Sequence, residues 1–371
     1  RWPYGHCRRS ERSFDPGPVG SHQTKSGQDR LMTNVDRILI VRLGSLGDIV
    51  HTLPLAAALR RGFPSARIDW VVDERHHEFL DLVSVINRCI VWRTRSVSAW
   101  RSIGGVITEL RREHYDVVLD SQGLLKSAAL ARMAGGRRVI GFPRTHLREP
   151  AARFFYDEQC SPSTRRHVVE LNLSLASLLG VERGPWEFPV EVRDTVACTD
   201  VQRQLDVGTG QYAVLNPGAA WPNKRWPPER FGSIARRLRM KHGLPVVVIW
   251  GPGEESLAES VAAASDGAAI VTGSTSLADL VAVLKSATLL VSGDTGPLHI
   301  AAALGTPIVG IYGPTNPDRN GPWASADHTV SRFSECRCHH RRSCRVTRWC
   351  VGNISVDAVA EAVDYRLSAI S

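Results

Sequence analysis

Residues 37–48 read RILIVRLGSLGD, a short apolar run that ends in a glycine-containing turn. An apolar run of this length is typical of a parallel β-strand that is buried on both faces. The next stretch, 49–61 (IVHTLPLAAALRR), carries apolar residues at helical spacing and is followed by Gly62. Strand, turn and helix in this order predict the first unit of a doubly wound parallel sheet.

The same alternation continues, breaks near residue 181 and then starts again. In the first half we predict strands at 68–72, 89–92, 116–120 and 138–142, with helices near 76–84 and at 98–113, 124–134 and 167–179. In the second half we predict strands at 212–216, 246–250, 269–273, 288–294 and 307–313, with helices at 228–240, 254–264, 276–286 and 297–304. Two runs with separate first strands predict an α/β protein with two doubly wound parallel sheets, whose ligands bind between them beyond the carboxyl ends of the strands.

The predicted organisation has five parts. Residues 1–34 contain few large aliphatic side chains and no apolar core of the kind that a secretory signal needs, so we expect a disordered leader. A transit peptide is the weaker alternative, because acidic residues interrupt the basic ones. The remaining parts are a first domain at 35–190, a linker with edge elements at 191–211, a second domain at 212–355 with a Cys-rich basic segment at 332–350, and a C-terminal helix at 356–371.

Composition narrows the function classes. Hydrophobic residues make up 43% of the 371 residues and charged residues 22%, which is ordinary globular usage and excludes a disordered chain, a collagen and a coiled coil. No apolar run reaches the roughly 18 residues that span a bilayer. The net charge is +9, and residues 35–190 hold 22 basic against 17 acidic residues. We therefore expect the first domain to face an anionic acceptor at a membrane surface; nucleic acid is disfavoured because no zinc-finger, RRM or KH signature is present.

The turn Gly44-Ser45-Leu46-Gly47-Asp48 follows the first strand and opens the first helix. Glycines there allow backbone N–H groups to approach a ligand closely. The spacing is not G-x-G-x-x-G, so a dinucleotide site is a weak interpretation. Asp48 is either an ordinary helix-capping residue or a general base at the mouth of the cleft.

Two further turns follow strands of the second half. Asn216-Pro217-Gly218-Ala219-Ala220 leads into a loop with Lys224 and Arg225, whose charges suit a diphosphate, although a solvated basic loop is the alternative. Ser292–His299 (SGDTGPLH) joins an apolar strand to an apolar helix, so N–H groups at Thr295 and Gly296 can meet a pyrophosphate beside His299. The alternative there is a plain capped helix with a core histidine.

Acidic and sulfur-containing side chains give less specific signals. Glu254 and Glu255 open a helix after a strand, where one carboxylate can accept ribose hydroxyls. Four cysteines occur within 15 residues, and their C-x-C-x5-C-x5-C spacing fits no common zinc or iron–sulfur pattern. A metal site, a disulfide pair and reduced thiols all remain open for these candidates, which are Cys336, Cys338, Cys344 and Cys350.

These motifs together resemble a known family. Ile38–Pro54, Asp120–Ser127 (DSQGLLKS), the Lys224 loop and Ser292–His299 followed by IYGPT at 311–315 are similar to the ADP-heptose:lipopolysaccharide heptosyltransferases, glycosyltransferase family nine. The DSQGLLKS segment and Arg148-Glu149-Pro150 are most similar to heptosyltransferase I. The resemblance implies a GT-B fold, in which two Rossmann-like domains face each other across a cleft and bind acceptor and nucleotide sugar respectively.

The resemblance also implies roles for single residues. The catalytic carboxylate matches Asp48 and the diphosphate-binding lysine matches Lys224. The other donor contacts implied are Ala219, Ala220, Glu255, Thr275, Asp294, Thr295, Gly296 and His299. Ala219 and Ala220 depart from the hydroxyl-bearing residues of heptosyltransferase I, which removes possible phosphate contacts. Acceptor contacts are expected from Ser45, Gly47, Arg60, Arg61, Gln122, Lys126, Arg144 and Arg148.

The predicted activity is inverting transfer of heptose from ADP-heptose to the Kdo region of a Kdo-lipid A acceptor. No cofactor or metal is required by this mechanism, since Lys224 and backbone N–H groups meet the charge that grows on ADP. We expect a cytoplasmic monomer, peripheral on the inner membrane. The alternatives are heptosyltransferase II or a transferase of another sugar, a non-catalytic nucleotide-sugar-binding protein, and a nucleic-acid or metal role for the Cys-rich segment.

Overall fold

Two six-stranded parallel sheets organise the chain in the computed structural model, which describes residues 35–93, 99–162, 167–339, 341–344 and 350–370. The first sheet has the order β3-β2-β1-β4-β5-β6. Its strands are β1 (Arg37–Val41), β2 (Arg67–Asp73), β3 (Arg88–Trp92), β4 (Val117–Asp120), β5 (Arg138–Gly141) and β6 (Glu158–Gln159). The helices of this half are α1 (Leu46–Val50), α2 (Leu53–Gly62), α3 (His77–Leu80), α4 (Ala99–Arg112), α5 (Leu125–Met133) and α6 (Val168–Ser177).

The second sheet repeats the same topology, with the order β12-β11-β10-β7-β8-β9. Its strands are β7 (Ala213–Asn216), β8 (Val246–Val248), β9 (Ala269–Val271), β10 (Leu289–Gly293), β11 (Ile308–Tyr312) and β12 (His328–Ser331). The remaining helices are α7 (Val196–Leu205), α8 (Pro228–His242), α9 (Glu255–Ala263), α10 (Leu277–Lys285), α11 (Gly296–Leu304), α12 (Pro317–Asn320) and α13 (Val356–Ser368). The predicted α/β class with two doubly wound parallel sheets is therefore confirmed.

Each sheet reverses its winding direction at its centre. In the first sheet the reversal lies between β1 and β4, and in the second it lies between β7 and β10. Loops leave such neighbouring strands toward opposite faces, which opens a crevice at their carboxyl ends. The turn at 44–48 follows β1 and the turn at 292–299 follows β10, so both sequence motifs lie at these crevices.

Apolar packing joins the two halves. One buried cluster includes Ile38 and Trp70 from the first sheet and Leu280 and Ile300 from helices of the second half. Helix α1 packs against α11, and α3 packs against α10. Val35–Ser371 accordingly form one compact unit. The leader predicted at 1–34 lies outside the described residues.

Several predicted elements differ in extent. The single helix expected at 49–61 is wrong: α1 and α2 are separate helices, because Pro54 has no N–H for the carbonyl of Val50 and its ring crowds that turn. The segment 191–211, predicted as a linker with edge elements, contains α7, which begins at Thr195 with its hydroxyl capping Cys198 N. Edge strands β6 and β12 were not predicted, since neither is an apolar run.

No helix in the described part of the chain combines the length and the hydropathy needed to cross a bilayer. The C-terminal helix predicted at 356–371 is present as α13, and it packs on α8 and β11 of the second half.

Candidate active site

Asp48 lies in the first turn of α1, directly beyond the carboxyl end of β1. Its Oδ1 pairs with Arg42 Nη2 at 2.8 Å. Its Oδ2 accepts hydrogen bonds from Ser45 N at 3.1 Å and from Ser45 Oγ at 2.9 Å. The Asp48 side chain is still 35% exposed, so the carboxylate orders the turn and remains reachable by a ligand.

The surroundings of Asp48 favour its ionised form. Burial by itself would raise the pKa of this carboxyl, but the Arg42 guanidinium and the two Ser45 hydrogen bonds outweigh it and hold the pKa below its ordinary value. Arg319 of α12, on the second half, acts in the same direction. A carboxylate that is charged at neutral pH can accept a proton from a bound hydroxyl.

Asp294 organises the crevice of the second sheet. Its carboxylate is buried and has four partners: Lys224 Nζ at 2.5 Å, Thr315 Oγ1 at 2.5 Å, Asn320 Nδ2 at 2.8 Å and His299 Nε2 at 3.0 Å. Burial alone would raise its pKa, yet Lys224 and His299 hold the pKa far below the usual range. Asp294 thus fixes three loops around one charge.

The Lys224 loop and the β10 turn are tied together at several points. Lys224 Nζ also donates to Asp294 O at 3.1 Å and lies 4.8 Å from the centre of the Trp221 ring. At the base of the loop, Asn216 Nδ2 donates to Ser292 Oγ at 2.9 Å and to Thr295 Oγ1 at 3.0 Å. The lysine ammonium and the N-terminal turn of α11 therefore share one edge of the sheet.

A glycine contact brings the two crevices together. Gly47 of α1 lies against the ring of His299, and a Cβ at Gly47 would overlap that ring. One turn before His299 in α11, a Cβ at Gly296 would lie 2.8 Å from Leu46 Cδ2. Because only glycine leaves room at these points, α1 and α11 approach closely enough to place Asp48 and the Lys224–Asp294–His299 group beside each other.

A histidine cluster that sequence reasoning missed fills the contact between the halves. The His51 ring centre lies 4.3 Å from that of His299 and 5.6 Å from that of His167. His51 is buried, and its ring nitrogens have no hydrogen-bond partner among the described residues. Burial, and then the neighbouring histidines, keep the pKa of His51 well below its ordinary value, so the ring is neutral near pH 7. No chain pattern marks this cluster, because its members come from three separate elements.

The acceptor-side candidates divide into two groups. Gln122, Lys126, Arg144 and Arg148 follow the carboxyl ends of β4 and β5, on the same edge as Asp48. Gln122 Oε1 accepts from Leu43 N at 2.8 Å and so supports the β1 turn. Lys126, Arg144 and Arg148 are exposed, and Lys126 Nζ lies 5.4 Å from the centre of the Trp92 ring.

Arg60 and Arg61 do not join that group. Arg60 donates to Ala66 O at 2.6 Å, to Val85 O at 3.0 Å and to Asn87 Oδ1 at 2.6 Å, at the points where β2 and β3 begin. Arg61 pairs with Glu187 at 2.7 Å. Both arginines end α2, which runs from the carboxyl to the amino edge of the sheet. They therefore lie at the edge of the sheet opposite to Asp48, because a helix reverses the direction of the chain across the sheet, and their contact with an acceptor stays a prediction.

The other donor-side candidates are spread along the second sheet. Ala219 is buried with its carbonyl bound by Arg225 Nε at 2.9 Å, and Ala220 is exposed. Glu254, at the carboxyl edge, pairs with Arg225 at 3.3 Å and lies so close to Gly218 that a Cβ there would overlap its carboxylate. Glu255 is exposed at the start of α9, whereas Thr275 is half-buried beyond β9.

The Cys-rich segment packs on the second half. Cys338 Sγ lies 3.0 Å from Cys344 Sγ, and Cys338 N donates to Cys336 Sγ at 3.3 Å. Burial, and then the neighbouring Cys336, raise the pKa of Cys350 to about 12. Among the described residues no group of three or more Cys, His, Asp or Glu side chains has the geometry to hold a metal ion. The segment also reaches the Lys224 loop, since Asn223 Nδ2 donates to Arg341 O at 2.9 Å.

The Gly47–His299 contact can be tested by adding one methyl group. We expect Gly47→Ala to lower the free energy of unfolding by about 1–3 kcal/mol, because the His299 ring is held by Asp294 and cannot move aside cheaply. Gly105→Ala in α4 is the control: nothing lies within 4 Å of its Cβ, so alanine should stabilise that helix by about 0.5–1 kcal/mol. Urea unfolding measures both changes, and equal stabilities for the two variants would contradict the close packing.

The buried charge of Asp294 predicts a pH-dependent stability. Asp294→Asn should lower the free energy of unfolding near neutral pH by about 3 kcal/mol, the scale for breaking a buried ion pair. The folded-state pKa of Asp294 lies far below the unfolded value of about 3.9, so its contribution is complete above that pH and is lost as the pH falls below it. In urea titrations the free energy of unfolding of the variant should therefore differ fully from that of the wild type at about pH 7, and this difference should shrink below about pH 4.

Asp266→Asn provides the control for this measurement. Asp266 pairs with Arg236 at 3.2 Å, but its side chain is 76% exposed. An exposed pair of this kind contributes little to stability, so the variant should unfold like the wild type at both pH values.

Comparison with known proteins agrees with this geometry. Residues 103–350 match the family model described as glycosyltransferase family 9 (heptosyltransferase). Lipopolysaccharide heptosyltransferase 1 of Pseudomonas aeruginosa is 33% identical over 246 residues, which cover 63% of this chain and 67% of that protein. The structure of E. coli heptosyltransferase WaaC with ADP has a TM-score of 0.70 at 27% identity and covers 90% of this chain and 98% of that one.

A second structure of that enzyme, with ADP-2-deoxy-2-fluoro heptose, has the same TM-score of 0.70 at 27% identity and covers 88% of this chain and 99% of that one. The GT-B arrangement expected from the motifs is confirmed by these neighbours and by the two parallel sheets. The family model spans more than half of the chain. The chain therefore belongs to glycosyltransferase family 9, the heptosyltransferases.

Proposed function

We propose that this glycosyltransferase moves heptose from ADP-heptose to the Kdo region of the lipopolysaccharide inner core, with inversion at the anomeric carbon. The observation that carries the proposal is the juxtaposition across the α1–α11 contact of a charged carboxylate, Asp48, and a cation held at a helix start, Lys224. The similarity to lipopolysaccharide heptosyltransferase 1 and to a structure with ADP supports the choice of acceptor and donor.

The reaction follows from the two crevices. Asp48 accepts the proton of an acceptor hydroxyl while that oxygen bonds to the anomeric carbon of the donor. The bond from this carbon to the diphosphate breaks through an oxocarbenium-like transition state, and its electron pair leaves with ADP. Negative charge grows on the diphosphate, where Lys224 and the N–H groups of Thr295 and Gly296 meet it. Asp294 and His299 hold these groups in place.

The donor site differs from the expected pattern at two places. Ala219 and Ala220 offer the phosphates no hydroxyl, so the proposal assigns the diphosphate to Lys224 and the α11 start. Glu255 was the carboxylate expected at the ribose, and its exposed position favours Glu254 instead. Glu254 lies at the strand ends beside Gly218, where a nucleoside can reach it.

The acceptor side of the proposal is a lipid-linked anion at the cytoplasmic face of the inner membrane. Lys126, Arg144 and Arg148 are exposed on the edge of the first sheet that carries Asp48. Charges of this kind attract carboxylates and phosphates from a membrane surface.

The direct test is product mass. The protein is incubated with ADP-heptose and separately with Kdo-lipid A and with heptosyl-Kdo-lipid A. We expect one heptose to be added to Kdo-lipid A. Transfer only to the heptosyl acceptor would identify a heptosyltransferase II instead, and ADP-heptose binding without transfer to either would identify a non-catalytic binding protein.

Asp48→Asn should lower kcat by about 100-fold or more, the scale for loss of a general base. ADP affinity, measured by calorimetry, should stay the same, because the nucleotide binds the second half. Asparagine keeps the size of the side chain and can still accept from Ser45. Near-normal turnover of this variant would leave Asp48 as a helix-capping residue.

Lys224→Met should weaken ADP binding by about 10-fold or more, since a charge-assisted contact contributes roughly 1.5–3 kcal/mol. Lys241→Met is the matched control: this lysine also pairs with an aspartate, Asp364, at 2.7 Å, but it lies at the far end of α8. Calorimetry with ADP should separate the two variants. Equal ADP affinities would remove Lys224 from the donor site.

A further inference from the structure

Arg42 is a buried cation beside the proposed catalytic carboxylate, and the sequence motifs assign it no role. It is the first residue after β1, and its own carbonyl accepts from Trp70 Nε1 at 3.0 Å. The guanidinium donates through Nη1 to Ser121 O, beyond the end of β4, and through Nη2 pairs with Asp48. Its Nε has no hydrogen-bond partner among the described residues. The Arg42 side chain therefore connects the segments that follow β1 and β4, where the first sheet reverses its winding, and its guanidinium pairs with Asp48.

A buried guanidinium constrains the charge of its partner. Arginine does not lose its proton in a protein, so protonation of Asp48 leaves the Arg42 cation buried without a counter-charge. A buried charge without a partner costs free energy, so the ionised form of the Asp48 carboxylate is favoured. The lowered pKa of Asp48 agrees with this arrangement, since burial alone would have raised it.

The same contacts set the orientation of the carboxylate. The Ser45 N–H and O–H both donate hydrogen bonds to Oδ2. Arg42 lies against Oδ1 as an ion-pair partner at 2.8 Å. Oδ1 is therefore the oxygen that Arg42 holds by charge, and its lone pairs can accept a proton from a ligand.

The other groups that face Asp48 have a weaker effect on its ionisation than Arg42. His76, from the turn after β2, interacts with Asp48, but burial, and then Arg75, lower the pKa of His76 and leave it mainly neutral near pH 7. Arg319 of α12 is exposed, so water and salt screen its charge. Ser45 carries no charge. Arg42 is thus the dominant charge on Asp48.

We propose that Arg42 is a positioning residue for the transfer reaction, which keeps Asp48 ionised and presents its Oδ1 to the acceptor hydroxyl. This inference rests on the proposed role of Asp48 as the general base.

The test is the pH dependence of kcat for Arg42→Met and Arg42→Lys. Methionine removes the charge, so the pKa of Asp48 should rise and the acid limb of the kcat profile should move to higher pH by about one unit or more. The plateau should fall about 10-fold, because the carboxylate is no longer held. Lysine keeps the positive charge but lacks the planar set of N–H donors of the guanidinium. The acid limb of the Arg42→Lys profile should therefore stay near that of the wild type, while its kcat plateau falls. ADP affinity should not change in either variant.

Arg67→Met is the control for a purely structural effect. Arg67 also pairs with a buried carboxylate of the first sheet, Asp69, at 3.0 Å, but it lies at the amino end of β2. Its loss should reduce stability and leave the acid limb in place. If the kcat profile of Arg42→Met keeps the acid limb of the wild type, the inference is overturned. If the methionine variant does not fold, the lysine variant decides: a kcat plateau equal to that of the wild type also overturns the inference.

These results are separable from the proposed function. If Asp48→Asn abolishes transfer while Arg42→Met keeps the wild-type acid limb, the base assignment stands and only the role of Arg42 fails. If Asp48→Asn is active, both fail.

Discussion

The buried carboxylate of Asp294 is the interaction on which the candidate site depends. Four donors from three loops converge on it: the Lys224 loop, the first turn of α11 and the segment after β11 that carries Thr315 and Asn320. A charge with no access to water requires such partners, and once they are present they hold each other in place.

The contact between Gly47 and His299 connects the Asp294 group to the first half of the molecule. His299 is fixed by Asp294, and α1 rests on His299 through a residue without a side chain. The distance between Asp48 and the Lys224–Asp294–His299 group is therefore set by the packing of α1 on α11. In the proposed transfer both reacting centres must lie at short range, and a fixed contact beside them would lower the entropy that must be lost in the reaction.

Two arginines show that a basic residue type does not by itself give the position of its charge in the fold. Arg60 lies in the last turn of an apolar helix and is basic, which made it a reasonable acceptor contact, yet its guanidinium donates to four backbone or amide oxygens at the amino edge of the sheet. Arg42 follows a strand within the first motif, where it was assigned no role, and it is the ion-pair partner of Asp48. Charge type is visible in the sequence, but the edge of the sheet to which a side chain belongs depends on the path of the chain.

Local patterns were sufficient for the class of the fold and for the central motifs. Apolar runs with glycine-containing turns determined the two parallel sheets and placed Asp48, Lys224 and the 292–299 turn at strand ends, because parallel strands present all their carboxyl ends at one edge. The tertiary structure alone decided that α1 meets α11 through Gly47, that the His51 ring contacts the rings of His167 and His299, and that Glu254 lies beside Gly218. Those contacts join residues far apart in the chain, and whether a side chain is buried, paired or overlapped by a neighbour depends on surfaces that exist only after both sheets have folded and packed together.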